Sequence, residues 1–219
     1  MKILFLCNKS PYPPKEGGPM AMNANIEGLL NAGHKVKVIA LNTNKYFIRE
    51  EEIPEDYKRK TGIEFIYNNL SVNPVDAFFN LFSKKSYHVE RFFTKKFEQR
   101  IIEVLKKEKY DIVQLEMLYM TPYINVIRKY SDAKIVLRSH NIEHLIWERI
   151  TSATKNRLKK IYLAHLTQKL KNYELTTMND FDGIVTISNK DAGYFKKAGC
   201  LIPISDVAFG VDVDKYKIL

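Results

Sequence analysis

Apolar residues in this chain fall into short unbroken runs, separated by longer stretches in which they recur every three or four positions. The first run, Lys2–Cys7 (KILFLC), predicts a strand buried on both faces. Pro11, Pro13, Pro14, Gly17, Gly18 and Pro19 then mark a loop over Asn8–Pro19. Met20–Asn31 places Met22, Ile26, Leu29 and Leu30 on one helical face, and Gly33 stands where a left-handed cap residue is expected. Lys35–Leu41 predicts a second strand. The chain therefore opens with a strand–helix–strand unit, which winds right-handed into a parallel sheet.

The alternation continues to the end. Asn42–Gly62 is charged and predicts irregular surface chain, and Glu64–Tyr67 a third strand. Pro74–Phe82 and Tyr87–Lys107 predict helices, the second with Phe93, Phe97, Ile101 and Val104 near helical spacing. Asp111–Leu115, Lys134–Leu137 and Gly183–Ile187 predict strands. Tyr119–Tyr130, Ile142–Thr151, Thr154–Met178 and Asn189–Lys197 predict helices. Ser188 resembles the N-cap of the last one, and Gly199 closes it. Ile202–Phe209 is a final extended piece. This pattern predicts an α/β fold: one Rossmann-like, doubly wound, mostly parallel sheet with helices on both faces, over residues 1–219. No internal repeat and no linker rich in Gly, Ser or Pro divides it.

Composition narrows the function classes. With 45% hydrophobic residues the chain is not disordered, and nine Gly and eight Pro exclude collagen-like or low-complexity architecture. Two cysteines, Cys7 and Cys200, make neither a disulfide scaffold nor a Cys-rich zinc module, and they suit a reducing compartment. Only five apolar residues follow Lys2, where a secretory core needs roughly 7–15. No apolar run approaches the ~20 residues of a membrane span. The expected location is cytoplasmic, with peripheral membrane contact open. The net charge of +10 fits nucleic acid, an anionic membrane or a phosphorylated substrate, and equally a solvated basic surface. Lys155–Lys171 holds six basic residues and no acid, and Lys84–Lys109 nine basic against four acidic. A basic amphipathic helix suits an anionic membrane; it also suits a core helix with a solvated back. No zinc-finger or RNA-recognition signature accompanies these patches, so no nucleic-acid partner is expected.

In open α/β sheets, ligands bind beyond the carboxyl ends of the strands. The residues there are Asn8 with its Gly-Gly loop, Glu116, His140 and Ser188. Gly17 and Gly18 precede the first long helix, where glycine lets backbone approach a ligand and free N–H groups receive an anion. Neither the dinucleotide fingerprint G-x-G-x-x-G nor the P-loop is present. His140–His144 matches the inverted zincin pattern H-x-x-E-H, but His140 follows a strand directly, so the two histidines are not expected on one helical face. Glu90/Glu98 and Glu108/Glu116 share an E-x7-E spacing that carries no expected chemistry.

KILFLCN, PPKEGGPMAMNANIEGLLNAGHKVKVIAL, YDIVQLE, KIVLRSHNIEH and YELTTMNDFDGIVTISNKDAGYF, followed by VAFGVDVDKY, stand in an order that resembles a known family. It is the N-terminal domain of GT-B-fold glycosyltransferases of the retaining family 4 (glycosyl group 1) type. The resemblance implies the acceptor-side half of a two-domain enzyme whose other half, absent from this chain, binds a nucleotide-sugar donor. It maps the family's Gly-Gly loop onto Gly17 and Gly18, near the donor diphosphate or transferred sugar, and its strand-end histidine onto His140, near the reacting centre. Glu116 is a candidate acceptor contact. Where the family places Asn before Gly-Val-Asp, Phe209 precedes Gly210-Val211-Asp212. The implied chemistry needs no metal and no cofactor beyond the donor substrate. Its implied partners are the donor, a sugar or lipid-linked acceptor, and an anionic membrane surface, in cell-surface polysaccharide or glycolipid synthesis. The fragment alone is expected to be inactive. The rival reading is a non-catalytic basic α/β module that binds membranes or phosphorylated ligands.

Overall fold

The structure, a computed structural model, describes residues 1–71, 73, 80, 82–83 and 85–210. Seven strands form one sheet: β1 (Lys2–Cys7), β2 (Lys35–Thr43), β3 (Glu64–Asn68), β4 (Ile112–Glu116), β5 (Lys134–Ser139), β6 (Gly183–Thr186) and β7 (Ile204–Asp206). Every pairing is parallel, in the order β3-β2-β1-β4-β5-β6-β7. The expected doubly wound α/β architecture is therefore present, and its strands are all parallel. Winding reverses between β1 and β4, which makes the crevice beyond their carboxyl ends the switch point of the sheet.

The period-2 pleat sorts side chains onto two faces. On one, Ile3, Phe5, Cys7, Val36, Val38 and Ala40 pack against Met22 and Ile26 of α1 (Gly17–Asn31). On the other, Leu4, Leu6, Ile39, Leu41, Val113 and Leu115 join Phe97 and Ile101 of a later helix and Phe195 near the end of the fold. Burying one such Phe contributes roughly 1.5–3 kcal/mol, so these two layers dominate the fold.

Among the described residues the remaining helices are α2 (Glu55–Thr61), the single turn α3 (Tyr87–Glu90), α4 (Lys95–Lys107), α5 (Ile124–Tyr130), α6 (Glu143–Ala153), α7 (Arg157–Thr177) and α8 (Asn189–Lys197). Left-handed Gly33 (φ 79°) and Gly199 (φ 97°) follow α1 and α8 as the pattern predicts. The Ser188 hydroxyl accepts from the Asp191 amide at 3.2 Å.

Several boundaries move, each for a local reason. Gly17 and Gly18 lie inside the first turn of α1, with Glu16 accepting from the Met20 amide at 2.8 Å, so they are not loop residues. The stretch 42–62 is not irregular: β2 runs on to Thr43, and α2 buries Tyr57 and Thr61 on one face, with Ile53 buried just before it. Tyr87–Lys107 is two elements. Thr94 caps α4 through the Phe97 amide (3.1 Å), and Tyr123 Oη accepts from the Thr94 amide (2.9 Å) while donating to the Phe92 carbonyl (2.9 Å). Tyr119–Tyr130 opens as a 3-10 turn over Leu118–Tyr123 that contains Pro122. The helix expected over Thr154–Met178 starts at Arg157, where Asn156 accepts from the Lys159 amide at 2.9 Å. The expected helix Pro74–Phe82 falls mostly outside the described residues, as does Val211-Asp212 of the Gly-Val-Asp element.

Candidate functional site

β4 reads Ile112-Val113-Gln114-Leu115-Glu116, and the pleat sends Val113 and Leu115 into the α4 layer. Gln114 and Glu116 therefore point to the α1 face. Register places Cys7 beside Glu116 on one side and Arg138 on the other. His140, two residues past Arg138, falls on the same face. Four polar side chains, Gln114, Glu116, Arg138 and His140, thus meet where a parallel sheet is ordinarily apolar.

Their hydrogen bonds form one chain. His140 Nε2 lies 2.8 Å from Glu116 Oε2. Gln114 Nε2 donates to Glu116 Oε1 (2.6 Å) and to Asn25 Oδ1 of α1 (2.8 Å). Glu116 is 0% exposed and His140 4%. A carboxylate only accepts, so Nε2 carries a hydrogen in this contact, and a neutral imidazole then keeps its lone pair on Nδ1. No hydrogen bond joins Nδ1 to another described residue, so in the neutral imidazole it is the atom of this dyad able to accept from a ligand hydroxyl. Arg138 is buried, and its Nε has no partner. Burial lowers its pKa, opposed by the charge of Glu116. Burial raises the Cys7 thiol, and the Glu116 charge adds to that.

A second buried set holds the start of α6. Glu174 of α7 accepts from the amides of Glu143 (2.9 Å) and His144 (3.0 Å), two donors that a helix N-terminus leaves unpaired. The same carboxylate meets His144 Nδ1 at 2.7 Å, and His144 Nε2 lies 2.8 Å from Tyr194 Oη. Tyr119 Oη donates to Glu143 Oε2 at 2.6 Å. Burial pushes the Glu143 carboxyl up to about 7, with Glu174 adding to the rise and the Tyr119 hydrogen bond opposing it. His140, Glu143 and His144 thus turn to three different partners. Among the described residues no three His, Cys, Asp or Glu side chains gather where a metal ion could be held.

Gly17 and Gly18 share this edge of the sheet, because α1 starts at the carboxyl end of β1 and packs on the face of Gln114. Neither has a positive φ. A Cβ on Gly17 would meet open space, and one on Gly18 would lie 3.1 Å from Lys9 Cε. Lys9 pairs with Glu16 at 3.0 Å and covers the Tyr46 ring, beside a cavity of about 240 Å³ that Lys15 and Lys45 also line. Asn8 is buried at the end of β1, its Oδ1 without a partner. A larger groove of about 710 Å³ starts at Asn141 and runs between α6 and the Lys190–Asp191 end of α8.

The structure joins the strand-end candidates His140 and Glu116 and sets Gly17 and Gly18 on the same edge of the sheet; Gln114 as the second donor to Glu116, Asn25 behind it, and Glu174 were not among those candidates. Alternation within DIVQLE and KIVLRSH would have put Gln114, Glu116, Arg138 and His140 on one face. Glu90 and Glu108 go elsewhere, to Lys85 and Lys2.

Residues 23–215 match the sequence profile of Glycosyltransferase Family 4. No curated protein matches the chain. Among solved structures, sucrose-phosphate synthase from Thermosynechococcus elongatus superposes with a TM-score of 0.62 at 10% identity, over 98% of this chain and 49% of that one. A UDP-glucosyltransferase from Polygonum tinctorium capable of glucosylating indoxyl gives 0.54 at 9%, over 100% and 54%. Phytolacca americana UGT2, complexed with UDP-2fluoro-glucose and pterostilbene, gives 0.52 at 8%, over 98% and 56%. At these identities the likeness is one of fold, and the chain spans about half the length of each of these structures.

Proposed function

The chain belongs to Glycosyltransferase Family 4, and from that premise we propose that it is the acceptor-side domain of a nucleotide-sugar-dependent, retaining glycosyltransferase. The observation that carries this reading is the buried Glu116–His140 dyad at the carboxyl edge of the sheet, with the imidazole Nδ1 left for a ligand. Glycosyl transfer builds negative charge on the departing nucleotide diphosphate, which backbone N–H groups stabilise as it forms. The uncapped first turn of α1, at Gly17 and Gly18, offers such groups. His140 accepts from a hydroxyl of the transferred sugar or of the reacting acceptor and so fixes its position. Glu116, fully buried with both oxygens engaged, acts through His140 as a positioning residue in place of touching the acceptor.

A second domain supplies the donor site, and the 219 residues alone do not transfer sugar. The reading requires no cofactor or metal besides the donor substrate. The acceptor is a sugar or a lipid-linked molecule at the cytoplasmic face of a membrane, in cell-surface polysaccharide or glycolipid synthesis. The Phytolacca americana structure, complexed with UDP-2fluoro-glucose and pterostilbene, supports the donor-plus-acceptor arrangement.

The test is His140→Ala in the enzyme that carries both domains. Turnover falls on the order of 100-fold, while donor affinity stays within about threefold. Near-normal turnover removes His140 from the chemistry. Robust donor-dependent transfer by residues 1–219 alone overturns the half-enzyme reading.

A further inference from the structure

α6 and α7 form an antiparallel hairpin, tied by Glu143–Glu174, Glu148–Lys171 and Thr151–Thr167, and its turn end spans residues 150–161. The apolar stripe of α7 is divided. Leu163, Leu166 and Leu170 are buried, whereas Leu158 is 80% exposed and Ile161 62%; Ile150 at the end of α6 is 42% exposed. Scattered single apolar residues on a surface mean little. Here three large aliphatic side chains share one helix turn and the adjoining helix end.

Cations surround them. Lys155, Arg157, Lys159 and Lys160 are all exposed, and no acidic residue occurs between Glu148 and Glu174. Lys155, Arg157 and Lys159 have no ion-pair partner among the described residues, and Lys160 reaches only the Ser152 carbonyl. No helix among the described residues is long and apolar enough to cross a membrane, so any bilayer contact in this region is interfacial.

We propose that the tip of the α6–α7 hairpin docks on an anionic phospholipid bilayer, with Leu158 and Ile161 entering the interface and Lys155, Arg157, Lys159 and Lys160 resting on the headgroups. Aliphatic side chains ringed by uncompensated cations suit a surface that is apolar below and negative at its boundary. A second copy of this chain suits it badly, since it would set this cluster of cations against a chain whose net charge is +10. The geometry also fits the lipid-linked acceptor, and in that respect the proposal rests on the function above. α6 is 11 residues long and starts just after His140, so the docked tip stands about 16 Å from the dyad end of the helix.

Vesicle flotation of the 219-residue chain tests this with no donor or acceptor present, so that its failure leaves the glycosyl-transfer reading untouched. Phosphatidylcholine vesicles containing phosphatidylglycerol should float the chain, and pure phosphatidylcholine vesicles should not. Binding should weaken as salt rises from about 0.05 to 0.5 M. The double variant Leu158→Asp/Ile161→Asp should lose at least about tenfold in partitioning. Replacing Lys155, Arg157 and Lys159 by Gln should lose about fivefold per charge and flatten the salt dependence. All five positions are exposed, so thermal melts should match the parent. Absence of flotation, equal binding to neutral vesicles, or unchanged binding of both variants overturns the proposal. So does a tip variant that alters only self-association or capture of an acidic protein.

Discussion

Glu116→Gln keeps the shape of the side chain and removes its charge, and the structure sets what that does. The carboxylate is fully buried and accepts from His140 Nε2 at 2.8 Å and Gln114 Nε2 at 2.6 Å. An amide offers one accepting oxygen, so its nitrogen must face one of these two donors, setting donor against donor. An unsatisfied buried donor costs about 1–3 kcal/mol. Arg138, buried and in register with Glu116, also loses the opposing charge of that carboxylate. Breaking a buried charge pair from one side typically costs about 3–5 kcal/mol, and the two effects overlap, so the expected loss is about 3–5 kcal/mol in all. For a chain of this size that lowers Tm by about 6–20 °C. Thermal unfolding followed by far-UV circular dichroism reads the loss, and urea melts give its free energy. Adding Arg138→Met removes the orphaned cation, so the double variant should recover half or more of the deficit, with a coupling energy of about 1–3 kcal/mol. If Glu116→Gln melts within about 2 °C of the parent, or the two changes simply add, the charge account of this cluster is wrong.

Glu143 gives a pH dependence of definite sign. Its carboxyl is raised from 4.5 to about 7 in the folded chain, so its contribution to stability is complete below about pH 4.5 and is lost as pH rises through 7. Glu143→Gln should therefore gain stability relative to the parent between pH 5 and pH 8, by up to about 3 kcal/mol; urea melts showing a constant difference across that range would refute it. Thr94→Ala should cost about 1 kcal/mol by uncapping α4, measurable as a shift in the urea midpoint with an unchanged m-value.

The strands were legible because a sheet covered on both faces leaves continuous apolar runs, as in KILFLC and KVKVIAL. What failed was punctuation. Phe93 fits the helical spacing of Phe97 and Ile101, yet Thr94 breaks the helix because its hydroxyl captures the Phe97 amide and Tyr123, 29 residues on, anchors its own. Residues 42–62 look like surface chain because charges outnumber the few apolar positions that α2 and its approach turn inward. At the site, His140 and Glu116 followed from being at strand ends. Their direct contact was within reach of the alternation in β4 and β5. Asn25 and Glu174 were not, since each is brought in by helix packing from a distant part of the chain.

Glu174 also imposes an order in time. It lies 31 residues beyond Glu143, whose amide it receives together with that of His144. At roughly 5–20 residues per second, a ribosome releases the strand-end segment about 2–6 seconds before the carboxylate that completes it. Over that interval these amides have only water, and the nascent β5 edge is the unfinished part of the sheet. A synonymous codon change that slows translation between residues 144 and 174 would lengthen that exposure without altering a single side chain.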